Sequence, residues 1–201
     1  MILDATAANR TMWKSKDNPN IIYLDMEKRI PVKPTIFANN TQTPFTDKSF
    51  TEIFYDPPHG WEYEPFMHYT KGVPPDERYP PEEWKKQTYY GWMQYKNQQS
   101  LIVHIYKAQK EFHRILTDDG LLWVKWNECR IKIDRVLALF EDWDKLMKIK
   151  VEDPTHTKGW QNTWWVVMAK IKRDYKQSML LDTQLSNDNA DSGFNAGKLH
   201  S

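Results

Sequence analysis

The sequence is poor in the residues that staple or loosen small folds. It has 1 cysteine, Cys129, in 201 residues, which excludes an internal disulfide framework and a paired-cysteine metal knuckle. Glycine is scarce, 7 in all. The 6 histidines, at positions 59, 68, 104, 113, 156 and 200, show none of the paired spacings of a helical zinc site, so no metal is expected. No apolar run nears the roughly 18–20 residues of a membrane span. No basic stretch precedes an apolar one at the N-terminus, and a soluble, cytoplasmic protein is the expectation. Neither charge is in excess, since Lys+Arg 28 against Asp+Glu 27 leaves +1. A chain so balanced is not a generic polyanion binder, and any contact to nucleic acid has to come from local patches.

What is abundant is tryptophan, 10 residues, within a chain that is 40% hydrophobic and 27% charged. That composition suits one globular domain of ordinary size. Tryptophan is a rigid apolar plate with a polar edge. Ten of them build either a heavy core or a pocket for a flat ligand.

Short apolar runs bounded by Pro, Asn and Asp read as buried strands at 2–4, 21–25, 35–38 and 52–55. Thr11 to Lys16 has room for one or two helical turns. Residues 60–96 carry ten aromatics and five prolines without clean periodicity, which reads as a lid or substrate insert rather than disorder. Leu101, Ile105, Ala108, Phe112 and Ile115 form one apolar stripe, which predicts a helix over 98–117, stopped by Asp118-Asp119-Gly120. A strand over 121–126, a helix over 131–143 and strands over 146–151 and 164–169 follow. The predicted domain is 1–176, and 177–201 reads as a flexible tail rich in Ser, Asn, Asp and Gly. Strands alternating with helices imply an α/β, largely parallel sheet. Ligands in such sheets sit beyond the strands' carboxyl ends, which points to Asp4, Asp25, Asn39 and Asp56.

These residues also carry a resemblance. Leu3-Asp4-Ala5-Thr6-Ala7-Ala8-Asn9-Arg10 resembles the first motif of class I S-adenosylmethionine-dependent methyltransferases. Asp25 sits where that family places its ribose-binding acid. Thr43-Pro44-Phe45-Thr46-Asp47-Lys48-Ser49-Phe50 resembles the stretch before its fourth strand. Asp56-Pro57-Pro58-His59 resembles the Asp/Asn-Pro-Pro-aromatic motif of its amino-methyltransferases, and Asp119-Gly120-Leu121-Leu122 its turn into strand five. The motifs arrive in family order over about residues 1–170. The resemblance implies a Rossmann-like α/β fold, mostly parallel with an antiparallel last strand, in the order 3-2-1-4-5-7-6 and with a reduced N-terminal half.

It also implies a cofactor, S-adenosyl-L-methionine, and a DNA or RNA base as substrate. Asp4, Ala5, Thr6, Ala8 and Asn9 are the expected cofactor loop. Asp25 is the ribose acid, with Glu27 as second choice, and Asn39 meets the adenine amine. The family has glycines where this chain has Thr6 and Ala8, and alanine disfavours positive φ. Asp56 and Pro57 are the expected catalytic acceptors for the target amine. They free its lone pair and stabilise the positive charge that develops on nitrogen. Pro-Pro fixes φ at both positions. His59, the third expected catalytic residue, replaces the motif's usual large aromatic and could donate a hydrogen bond or shuttle a proton, and Trp61 and Tyr63 are candidate plates for the base. Cys129 reads as a small buried residue. Lys107, Lys110, Arg114, Lys170, Lys172 and Arg173 lie on solvated faces or touch phosphate.

The chain begins within the first strand, whereas the family carries a helix upstream that covers the cofactor. The expectation is that this cover is absent, comes from another chain, or is lost to a truncated gene start, and that an apolar sheet face is left for a homodimer or partner. Two other functions compete with base methylation. One is N-methylation of a protein amide or small molecule, and the other is a non-catalytic partner subunit on the same fold.

Overall fold

Seven apolar runs pair into one sheet in the computed structural model, which describes residues 1–27, 30–61, 95–151 and 162–172. They are β1 (Ile2–Asp4), β2 (Ile21–Asp25), β3 (Ile36–Phe37), β4 (Phe50–Tyr55), β5 (Leu116–Asn127), β6 (Trp143–Val151) and β7 (Thr163–Lys170). Two helices are present among the described residues, α1 (Gln98–Ile115) and α2 (Ile133–Leu137). Contacts group Met1–Lys170 into one compact unit and Ile171–Ser201 into a second. Most of the predicted 60–96 insert and the predicted 177–201 tail lie outside the described residues.

The strand order is β3-β2-β1-β4-β5-β7-β6. β1 to β5 pair in parallel, and β7 runs antiparallel to both β5 and β6. This is a mixed α/β, Rossmann-like sheet. Its order reverses between β1 and β4, the place where such sheets open a crevice.

One face is the core. Leu3, Ile53, Tyr55, Leu122, Val124 and Met168 are fully buried, as are Leu101, Ile105, Ala108, Phe112 and Ile115 of α1. The predicted stripe is therefore the packed stripe, and Phe112 meets Tyr55 edge-on at 4.9 Å between ring centres. Helix α1 starts on a reciprocal cap, with Ser100 N–H on Asn97 Oδ1 at 2.9 Å and Asn97 N–H on Ser100 Oγ at 3.2 Å. Both described helices contribute to this core.

Strand alternation puts a row of half-buried aromatics on the other face. Phe54 touches Trp13 at 4.9 Å, stacks on Trp123 at 5.5 Å and meets Trp165 at 6.2 Å. Tryptophan here is used as sheet surface, at ring distances that contribute beyond area alone.

Three local expectations need correction. Thr11 to Lys16 forms turns and bends instead of a helix. The Arg10 side chain organises this loop: it donates to Lys16 O at 2.5 Å and Lys33 O at 2.6 Å, pairs with Asp17 and lies 3.9 Å from the Tyr23 ring centre. A guanidinium with that many fixed donors substitutes for helical hydrogen bonds. The predicted stop at 118–120 is a bulge inside β5, between the pairs Phe50–Leu116 and Glu52–Leu121. A Cβ at Gly120 would fall 2.7 Å from the Leu116 side chain. The helix predicted over 131–143 shrinks to α2, because Trp143 opens β6. Its indole N–H donates to the buried Gln109 Oε1 at 2.8 Å. No helix among the described residues is long and apolar enough to cross a membrane.

Candidate functional site

Two strands, β1 and β2, end in aspartate, and a third aspartate, Asp56, directly follows β4. Asp4 pairs with Tyr23 on β2 and with Phe54 on β4, so Asp25 and Asp56 stand two residues further along their strands. With a period of two, all three carboxyl groups project to one side of the sheet. A crevice of about 260 Å³ opens at this end, slightly below the usual range for small-molecule clefts, about 300–1,000 Å³.

One wall of the crevice is the loop after β1. Ala5 N–H donates to Phe54 O at 2.8 Å and Ala7 N–H to Leu24 O at 3.0 Å. The Thr6 hydroxyl accepts the Asp56 N–H at 2.8 Å. Ala8 N–H donates to Asp25 Oδ2 at 2.8 Å, while Ala8 itself sits at φ 40°. The left-handed turn that glycine would make is thus made by alanine, at a cost of roughly 1–2 kcal/mol. Ala5, Thr6, Ala8 and Asn9 all line the crevice.

Asp25 lines it as well. Each of its oxygens accepts one backbone N–H, from Ala8 and from Glu27, both at 2.8 Å, which leaves lone pairs for a ligand. Asp4 is fully buried and outside the crevice lining. Trp13 Nε1–H donates to its Oδ2 at 2.7 Å and Thr6 N–H to its Oδ1 at 3.2 Å. Burial, helped by Asp56 and Asp25, pushes this carboxyl up to about 6 against the pull of those donors. Asn39 also stands apart: it is exposed, and its Oδ1 accepts from Thr41 N–H and the Thr41 hydroxyl. Its neighbour Asn40 faces the crevice, donates to Ala5 O at 3.1 Å and keeps a buried Oδ1 without a partner.

Asp56 closes the crevice at the tip of β4. The register pairs Tyr55 with Val124, so the next residue on β5, Lys125, is the cross-strand neighbour of Asp56. Its Nζ lies 2.8 Å from Asp56 Oδ2. His59 Nε2 lies 3.3 Å from Asp56 Oδ1, and no well-formed hydrogen bond reaches this buried oxygen. Burial works to raise this carboxyl, and the neighbouring His59 and Lys125 outweigh it, holding the group below its ordinary range.

Pro57 is buried and Pro58 lines the crevice. His59 is outside the lining. It meets Trp126 edge-on at 5.1 Å, and the Cys129 thiol donates to its carbonyl at 3.1 Å. Trp61 packs on the core, with the Arg130 guanidinium 5.6 Å from its ring centre. Tyr63 lies outside the described residues. Among the described residues no cluster fit for a metal ion is found.

Two crevice residues escape a reading by motif. Tyr95, just before α1, and His104, in its second turn, meet edge-on at 5.2 Å and both line the crevice. Burial, with Lys107 adding to it, pulls His104 down to about 4. The signal for His104 was available: it adjoins Ile105, a member of the buried stripe.

No family model matches the chain, and no curated protein matches it. Solved structures that share its fold include the PH0226 protein from Pyrococcus horikoshii OT3. That protein is 10% identical, with a TM-score of 0.52 over 85% of this chain and 81% of the other. At that identity the likeness describes the fold alone.

Proposed function

We propose that this chain is an S-adenosylmethionine-dependent N-methyltransferase of the class I type, acting on an exocyclic amine of a DNA or RNA base. The observation that carries the reading is Asp56 Oδ1. It is a buried carboxylate oxygen that no well-formed hydrogen bond reaches, in an Asp-Pro-Pro turn beside a crevice at the sheet's switch point. A buried acceptor left open is costly unless something donates to it.

The residues of the other wall fit the cofactor. Asn40 Oδ1 is a second buried acceptor without a partner and suits an adenine amine. Asp25 retains lone pairs for ribose hydroxyls. Asp25, Glu27 and Asp56 give the crevice an acidic lining, which favours a cationic sulfonium. When bound, the cofactor supplies an electrophilic methyl group.

The protein's task is then alignment. Asp56 Oδ1 and the Pro57 carbonyl accept the N–H bonds of the amine. This localises the nitrogen lone pair and stabilises the charge that grows on nitrogen. His59 serves the carboxylate, since its Nε2 faces Asp56. The acidic lining also favours a second acceptor class, a small-molecule or protein amine without phosphates.

Mass spectrometry of nucleosides from cells expressing the chain tests the reading. An N-methylated base is expected, and its loss with Asp56→Ala. If the two nucleoside profiles are identical, the acceptor is not a base. With a nucleic-acid acceptor, affinity should fall steeply as salt rises; a flat salt response favours the small acceptor.

A further inference from the structure

We infer that Lys125 is a positioning residue of the transfer reaction: it clamps Asp56 Oδ2, so that the carboxylate meets the acceptor amine through Oδ1 alone. The inference rests on the N-methyltransferase reading above and adds a residue that no motif supplies. Its basis is geometric. Lys125 sits in an otherwise apolar run, Leu121 to Trp126. The β4–β5 register puts it beside Asp56, and the β5–β7 register puts it opposite Trp165. Its Nζ is 2.8 Å from Oδ2, and only 9% of the Asp56 side chain is exposed. The Asp56 N–H is fixed separately by Thr6. One end of the residue is therefore pinned through its backbone and the other through one oxygen, and the remaining oxygen has a single orientation.

The charged and titratable groups that face Asp56 are few. Asp4 on β1 repels it, and β2, which carries Asp25, lies one strand further away. His59 lies on its own turn, and Lys125 comes from β5. Trp165, the β7 residue opposite Lys125, adds no charge. Removing Lys125 leaves a largely buried carboxylate beside another acid, with the His59 ring nitrogen 3.3 Å from Oδ1 as its nearest remaining polar neighbour. Such a group gains a proton more readily, and a protonated Asp56 is a poorer acceptor for an amine.

The test compares Lys125→Met and Lys125→Arg with wild type. The expected result for Lys125→Met is a kcat lowered about 100-fold with KM for S-adenosylmethionine nearly unchanged. Its acid limb in the pH–kcat profile should move at least about one unit toward neutral, and Lys125→Arg should recover most of both. A readout independent of turnover is the ¹³C-carboxyl titration of Asp56 in aspartate-labelled protein, assigned by its absence in Asp56→Asn. There Asp56 should titrate at higher pH in Lys125→Met than in wild type. An unmoved ¹³C titration in folded Lys125→Met, or wild-type kcat with an unmoved acid limb, overturns the inference. If wild type methylates no amine offered, the function reading fails, while the titration still decides whether Lys125 sets the charge of Asp56.

Discussion

The Asp56 N–H is bonded to the Thr6 hydroxyl at 2.8 Å, and this one contact ties the loop after β1 to the turn after β4. Thr6 stands where the methyltransferase pattern has glycine, so the departure from pattern adds a strut. Thr6→Ala removes the acceptor and leaves a partly buried N–H unpaired, which should cost about 1–3 kcal/mol. Thr6→Ser should restore most of it. Urea denaturation of the three proteins, with equal slopes, checks this; equal stability of wild type and Thr6→Ala would show the strut to be idle.

Ala8 offers the opposite case. Its φ of 40° strains a residue with a Cβ, by roughly 1–2 kcal/mol. Glycine would relieve that strain and give back roughly 0.4–1 kcal/mol through greater unfolded-state freedom. Ala8→Gly should therefore stabilise by about 0.5–1 kcal/mol. A lowered urea midpoint would mean that the Ala8 methyl packs usefully enough to offset its strain.

Buried Asp4 and half-buried His104 titrate in the same window with opposite effect. Asp4 is raised from its ordinary 3.8 to about 6. Between those values the folded chain holds a proton that the unfolded chain has lost, so stability falls as pH rises. His104 is lowered from 6.5 to about 4. There the unfolded chain holds the extra proton, and stability rises with pH. Each slope is at most about 1.4 kcal/mol per pH unit, so the two oppose each other between about pH 5 and 6; below that window Asp56, Glu111, Asp118 and Glu128, all held low in the fold, add a rise with pH. Asp4→Asn should expose the rise, and His104→Gln the fall. Thermal unfolding across that range checks both signs, and slopes of the same sign in the two variants would contradict the assignment.

The ends of β1, β2 and β4 were legible because each short apolar run gives way to an aspartate, Asp4, Asp25 or Asp56. The core stripe of α1 was legible too, since five apolar residues fix one helix face. Asn39 and Asn40 show where such reading stops. A shift of one residue reverses the side a side chain takes, and no local feature distinguishes two adjacent asparagines. Lys125 required the register between β4 and β5, which depends on a bulge at 118–120 that reads from sequence as a plain turn. The loop around Arg10 was hidden because one guanidinium, reaching Lys16, Asp17 and Lys33, replaces the repeating bonds that give a helix its period.

Asp25 joins the cofactor reading to the fold, so its substitution has two separable effects. Asp25→Ala removes the carboxylate proposed to meet the ribose hydroxyls, and S-adenosylmethionine affinity should weaken by roughly 1.5–3 kcal/mol. The same change also frees the Ala8 and Glu27 N–H groups that Asp25 now holds, so stability should fall too. Asp25→Asn keeps one acceptor oxygen for the loop but loses the charge and one ribose acceptor. If the cofactor reading holds, Asn should recover stability more fully than affinity. Calorimetry with S-adenosylmethionine beside thermal unfolding reads the two effects apart. Parallel recovery of both would make Asp25 a loop anchor alone, and no heat with wild type at high cofactor concentration would remove the enzymatic reading altogether.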